Sequence, residues 1–260
     1  MLFAITMQIH LPDLSAGIIV YMLVFARVGA MVMLLPSIGD NGIPARVRLI
    51  LALAISFALT PTVAGSYPQT APATATALSI LVAQETTIGI LVGAMARIIM
   101  SALHVAGFLI ATQTGLAYAQ TLDPTQGEQG AVMGNFLSLL GTLMVFLTNL
   151  HHLAIGAIAG SYRLMAPGAR LPTEDMAQLT ISLVSGSFAL GFQLAAPFLV
   201  FGFAVYAGLG LLARLMPQLQ IFFVAVPINI VCGFLIFMAM LGAMMTIFLN
   251  YYATQMGNFL

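Results

Sequence analysis

Charge is what this 260-residue sequence has least of: charged residues make up 5% of it and hydrophobic ones 61%. An ordinary soluble domain carries about 25% charged residues, so a water-facing surface cannot be assembled from this composition. Lysine is absent, all seven basic residues are arginine, and seven acidic residues balance them to a net charge of zero. That balance removes the electrostatic basis for a nucleic-acid partner. The single cysteine, Cys232, excludes an internal disulfide or a Cys-rich metal centre within one chain. Inside an apolar run it reads as a small core residue. Tryptophan, a common anchor at the membrane interface, is also missing. Tyr21, Tyr67, Tyr118, Tyr162, Tyr251 and Tyr252 are the candidates to replace it. No basic run precedes the first apolar residues, so Met1 to Leu14 does not resemble a cleaved signal peptide, and Met1 is expected to be the mature start.

What the sequence has in abundance is long apolar runs. A membrane helix needs about 20 mostly apolar residues. Blocks that meet this, or nearly so, lie near 14–35, 48–64, 78–117, 131–162, 179–212 and 221–249, bounded by Pro, Gly and charge. The expected fold is an all-α membrane protein of six to seven apolar helical blocks in kinked hairpins, one domain over 1–260. The 78–117 block is longer than one crossing and is expected to bend or fold back. Residues 65–77 and 120–130 read as loops, and residues 163–178 as a polar connector that holds Glu174 and Asp175. The short segment 213–220 favours an antiparallel hairpin of the last two blocks. Pro197, Pro217 and Pro227 sit where they would kink or end a helix. Gly89 and Gly93, Gly156 and Gly160, and Gly202, Gly208 and Gly210 are the small residues that let helix backbones approach in lipid. Irregular backbone survives in an apolar setting only when protein covers it or a wet cavity adjoins it, which implies partner subunits.

Ionisable residues inside apolar helices are costly and become functional candidates. Arg27 is expected to pair with a carboxylate, at a subunit contact. Glu85 and Arg97, twelve residues apart, share a helix face but cannot touch in a straight helix, so each is expected to meet a partner elsewhere. His151 and His152 point about 100° apart on a helix and cannot act as a paired ligand set, and with His104 they read as structural polar contacts. No catalytic constellation, phosphate loop or metal motif is present, so neither enzymatic activity nor a cofactor is expected. The arginines do not orient the chain. Arg46, Arg48, Arg97 and Arg214 share a side if 98–117 is re-entrant, whereas Arg163 and Arg170 replace Arg214 if it crosses.

The segment TQTGLAYAQTLDPTQGEQGAVMGNF, residues 112–136, sets four glycines, Asp123, Pro124 and Glu128 between two very apolar helices. It reads either as a surface loop or as a loop that occludes a pore. FARVGAMVMLLPSIGDNGIPARVRLILALAISFALTP (Phe25 to Pro61) contains Arg27, Pro36, Pro44 and Arg48. QETTIGILVG (Gln84 to Gly93) contains Glu85, and AGFLIATQTGLAYAQTLDP (Ala106 to Pro124) follows. LLARLMPQLQIFFVAVPINIVCG (Leu211 to Gly233) carries Arg214, Pro217, Gln218, Phe222 and Pro227 in an R-x-x-P-Q-x-x-x-F-x-x-x-x-P order. Together with FLTNLHHLAIGAIAGSY (Phe146 to Tyr162), these motifs resemble the flagellar biosynthetic protein FliR family and its injectisome counterparts over nearly the whole chain. At Leu150 and His151 the family more often has Gly-His.

The resemblance implies a non-enzymatic subunit of a type III protein export gate in the bacterial inner membrane at the flagellar basal body. It implies helical assembly with FliP and FliQ, contact with FlhB, and passage of unfolded export substrates. It also implies that a loop plugs the pore, matched here by Gln113, Gly115, Leu116, Ala117, Tyr118, Asp123 and Pro124. Two other classes compete: a stand-alone transporter or channel coupled through Arg27, Glu85 and Arg97, which inverted repeats would favour, and a scaffold whose loop does not gate.

Overall fold

The computed structural model describes residues 11–36, 38–39, 42–67, 74–117, 131–169, 171–216 and 221–259. Among them there is helix and no strand: α1 (Leu11–Leu34), α2 (Ala45–Val63), a short 3-10 turn (Ala64–Ser66), α3 (Ala75–Gln113), α4 (Ala131–Leu147), α5 (His151–Leu164), α6 (Thr173–Leu215) and α7 (Ile221–Gly257). The all-α membrane fold expected from composition is the one observed. Five stretches are long and apolar enough to cross a bilayer, and the bent pair Val132–Leu147 with His151–Leu164 would make a sixth.

Three expectations about the blocks change. The 78–117 run does not fold back before Gln113: α3 is one continuous helix of 39 residues. It contains no proline, and its glycines keep their helical hydrogen bonds, so nothing in it breaks the ladder. The 131–162 run is two helices, because Thr148 to Leu150 leave the helix and Asn149 takes φ 60. The polar connector after Arg163 is shorter than expected, since α6 begins at Thr173 with Glu174 and Asp175 in its first turn. Acidic side chains there face the positive end of the helix dipole, which turns an apparent loop into a helix start. Pro197 and Pro227 lie inside continuous helices.

The described residues fall into two compact units, one drawn from Met1–Ala96, Ala154–Thr173 and Phe259–Leu260, the other from Arg97–Leu153 and Glu174–Asn258. In the first, α1 buries Val24, Val28, Met31 and Val32, which recur at helical spacing, with Leu35 just past its end, and α3 answers with Ile88, Val92, Met95 and Ala96. Gly89 and Gly93 make that contact close: a Cβ on Gly89 would collide with the Arg27 carbonyl oxygen, and one on Gly93 with Leu34 and Met31 of α1. In the second, Ile99, Leu103 and Ile110 of α3, Leu190, Leu194 and Phe198 of α6, and Phe237 and Phe248 of α7 are buried. Gly107 and Gly134 bring α3 and α4 into backbone contact. The opposite helix faces are apolar too, with Phe57 on α2 and Phe203 on α6 at 75% and 77% exposure. Gly208 and Gly210 meet no neighbour within 4 Å, so of the three glycines Gly202, Gly208 and Gly210 only Gly202 packs within the described chain. Cys232, expected in the core, is half-buried.

Candidate functional site

Two polar clusters stand out, one in each unit. The first is built on the glycine contact between α1 and α3. Glu85 lies one helical turn before Gly89, on the face that Gly89 brings against α1. Its carboxylate therefore reaches the Arg27 side chain. Arg27 Nε donates to Glu85 Oε2 at 2.5 Å and Nη2 donates to Oε1 at 3.1 Å, a two-bond fork. Nη1 also donates to Ser161 Oγ at 3.3 Å, and Nη2 to the Met165 carbonyl at 3.1 Å. The guanidinium lies 4.0 Å from the centre of the Tyr162 ring, a cation–π contact strengthened by desolvation. Tyr67 donates its hydroxyl to Glu85 Oε2 at 3.2 Å. Burial, reinforced by Tyr162 and the Glu85 carboxylate, pushes the Tyr67 hydroxyl far above its ordinary range, so it stays a neutral donor.

Arg27 and Glu85 are both fully buried within one chain. The expectation that Arg27 pairs at a subunit contact is corrected: its carboxylate is internal, supplied by a helix 58 residues away in sequence. Tyr67 and Tyr162, expected at the membrane interface, are 4% exposed, because their hydroxyl and ring are used by this pair. Arg97 takes no part in it, and has interactions of its own. A carboxylate and an arginine that saturate each other this way are poor carriers of a moving proton or ion.

The second cluster closes α3. Gly115 adopts φ 79, the left-handed conformation that ends helices. Thr114 N–H and Oγ1 both bond the Ile110 carbonyl at 2.9 Å. Asn229 Nδ2 of α7 donates to the Gln113 carbonyl at 3.2 Å. Gly202 of α6 and Gly233 of α7 form the walls: a Cβ on the first would strike the Gln113 side chain, and on the second the Thr114 methyl. Leu116 and Ala117 continue from this point, half-buried. Of the other loop candidates, Tyr118, Asp123 and Pro124 lie outside the described residues. An apolar groove of about 230 Å³ runs beside the cluster, between Phe201, Val205, Leu209 and Leu212 of α6 and Ala225, Ile228 and Cys232 of α7.

The remaining motif residues serve turns and helix ends. Arg48 donates to the Gly39 carbonyl at 3.0 Å, which ties the turn between Pro36 and Pro44 to the start of α2. Arg214 sits exposed in the last turn of α6, at the negative end of the helix dipole. Phe222 and Pro227 lie in the first turns of α7, while Pro217 and Gln218 lie outside the described residues. His151 stacks on Phe146 with ring centres 4.9 Å apart, and its ring lies tilted beside that of His152 at 4.2 Å. No group of three metal-ligating side chains occurs among the described residues. Asn229 was missed by sequence reasoning. A lone amide in an apolar helix two residues after Pro227 was the available signal.

Residues 18–254 match the family described as Bacterial export proteins, family 1. Flagellar biosynthetic protein FliR of Caulobacter vibrioides is 43% identical over 211 residues, which cover 81% of this chain and 84% of that protein. FliR of Bacillus subtilis is 26% identical over 90% of both chains. Yop proteins translocation protein T of Yersinia pestis is 29% identical over 58% of this chain and 59% of its own. An all-helical membrane chain whose Arg27–Glu85 pair and α3 terminus fall within that matched span belongs to the bacterial export proteins, family 1, the family of FliR.

Proposed function

We propose that this chain is a subunit of the flagellar-type export gate, and that the segment around Gly115 to Asp123 is the plug of its pore. Membership of the export family supports a part in the type III export apparatus of a bacterial membrane. The observation that carries the plug reading is the clamped end of α3. Gln113 to Gly115 are held by Asn229, Gly202 and Gly233, so the segment that follows departs from a fixed point.

The proposed partners are FliP and FliQ, with FlhB, in helical assembly within the inner membrane at the basal body. Unfolded flagellar proteins are the substrates. Support comes from faces the chain does not cover itself: 17% of the Ala45–Ser66 stretch and 22% of Ala225–Gly257 is buried. Both stretches are apolar around much of their circumference, as helices shared with lipid and other helices are. The chain serves as a conduit component without enzymatic activity. The energy for transport comes from other components and the proton motive force.

Deleting residues 112–122 in the assembled gate is expected to raise ion leak with assembly unchanged. Unchanged conductance would remove the plug role. An injectisome role is the second reading, raised by the Yersinia relative. The longer and closer match to the Caulobacter flagellar protein favours the first. Restoration of motility in a flagellar strain lacking its own FliR separates them. A monomer that moved a small solute by itself in liposomes would establish the stand-alone transporter instead.

A further inference from the structure

The helix pair α3 and α4 carries a polar face that neither cluster uses. Gly107 and Gly134 set the two backbones in contact, and a Cβ on Gly141 would strike Leu103. The contact descends α3 from 107 to 103 while it ascends α4 from 134 to 141, so the helices are antiparallel. Arg97, Ser101 and His104 recur at spacings of four and three on α3, and Asn135, Ser138 and Thr142 at three and four on α4, so each trio forms one row. His104 lies three residues before Gly107 and Ser138 four after Gly134, turns of about 60° and about 40° in the same sense from the contact. On antiparallel helices, rows turned the same way from the contact fall on the same side of it. The seat of His104 agrees, since its Nδ1 lies 3.2 Å from where a Cβ of Gly134 would stand. The shared face is about 10 Å long, the rise from Arg97 to His104.

Arg97, Ser101, His104 and Asn135 are exposed, and Ser138 and Thr142 are half-buried. Ionisable side chains in apolar helices face either a protein interior or a water-filled cavity, because hydrocarbon solvates neither charge nor amide. Arg27 and Glu85 take the interior. Arg97 and His104 stand at the chain surface, and Arg97 is exposed although it has interactions of its own. The exposed apolar residues of α4, Val132, Leu139 and Leu143, lie roughly 100° round the helix from Ser138 and Thr142, so the polar row is separate from the side suited to lipid. A partner helix would need a close seat, and the glycines of this crossing are taken up by the α3–α4 contact itself. Neither residues 97–113 nor α4 contains an acidic side chain, which gives the face one sign of charge.

We infer that Arg97, Ser101 and His104 with Asn135, Ser138 and Thr142 form a basic, hydroxyl-lined wall of a water-filled passage in the assembled complex, which draws anionic groups and repels small cations. This rests on the reading of the chain as an export-gate subunit. Ser101→Cys and Thr142→Cys, each in a Cys232→Ala background, test it. The variants are assembled with the gate partners in membrane vesicles and treated with membrane-impermeant methanethiosulfonates, one anionic and one cationic, with rates normalised to a free thiol. Both cysteines are expected to react, and Leu139→Cys to stay unmodified. At Ser101→Cys the anionic rate is expected to exceed the cationic one about threefold, the effect of a unit charge ~6 Å away in water after screening by salt. Arg97→Gln is expected to abolish that preference. Thr142→Cys serves alone if Ser101→Cys does not assemble. Cysteines that are unreactive in the complex but reactive in the isolated chain in detergent overturn the inference, since a partner helix would then cover the face. Cysteines unreactive in both overturn it as well. So does modification of Leu139→Cys at the same rate, or a preference that Arg97→Gln leaves unchanged. Failure of the wild-type chain to co-purify with the partners removes the gate reading itself, and is seen before any thiol is labelled.

Discussion

Arg27 of α1 and Glu85 of α3 are joined by two hydrogen bonds, with each side chain 1% exposed. In a chain that is 5% charged, this pair brings opposite charges together where neither could stand alone. Tyr67, Tyr162, Ser161 and the Met165 carbonyl complete its shell. The pair thus ties α1 and α3 to the α5 end of the first unit.

Breaking the pair from one side leaves an uncompensated buried charge, so Glu85→Ala is expected to cost about 3–5 kcal/mol. The double variant Arg27→Met with Glu85→Leu removes both charges and is expected to recover most of that loss. Unfolding of the purified chain with its partners, followed in denaturing detergent, measures both. A double variant as weak as the single one would show that the charges themselves are required.

Tyr67→Phe removes one donor from the Glu85 carboxylate and leaves the ring in place. Hydrogen bonds to charged groups contribute about 1.5–3 kcal/mol, so its loss is expected to be smaller than that of Glu85→Ala. The same unfolding measurement ranks the two.

Gly89→Val places side-chain atoms where the Arg27 carbonyl oxygen lies. Overpacking of this kind costs about 1–3 kcal/mol and is expected to lower stability by separating α1 from α3. Gly208→Ala meets nothing within 4 Å and is expected to be neutral or slightly stabilising in the isolated chain, because alanine favours helix. A defect of Gly208→Ala that emerges only on co-expression with partners, read as loss of co-purified complex, would locate a subunit contact at that glycine.

Asn149 holds the break between α4 and α5 at φ 60. A β-branched residue resists this conformation, at a cost of about 1–2 kcal/mol, whereas glycine adopts it freely. Asn149→Val is expected to lower the melting temperature of the purified protein, and Asn149→Gly to leave it unchanged within error.

The helices themselves were legible because their signals are local. Low charge and sustained apolar runs identify membrane-capable segments whatever they pack against, and Pro36, Gly42 and Pro44 mark the turn between α1 and α2. Helix ends were less legible. Glu174 and Asp175 read as loop by polarity but begin α6, since the helix dipole favours acids in a first turn. The break at Asn149 was missed because Thr148, Asn149, His151 and His152 are a short polar stretch inside an otherwise apolar run. Periodicity does not help in a chain that is apolar around most of each helix.

Of the two clusters, the sequence supplied members without their partners. Arg27 and Glu85 announce themselves, because a charge in an apolar run must be answered by something. It does not name the answer: Arg97, nearer to Glu85 in sequence, is out of reach along a straight helix, but the other arginines were as eligible as Arg27. The choice follows from Gly89, which lets α3 approach α1 until Glu85 comes within reach of Arg27. Asn229 and Gln113 are joined in the same way, across 116 residues, by the close seats at Gly202 and Gly233. Composition alone determined that this protein is built of helices apolar enough to cross a membrane. Which polar groups find each other inside it was decided only by tertiary packing, because hydrogen bonds act over about 3 Å and the backbone contacts that create such distances join residues far apart in the chain.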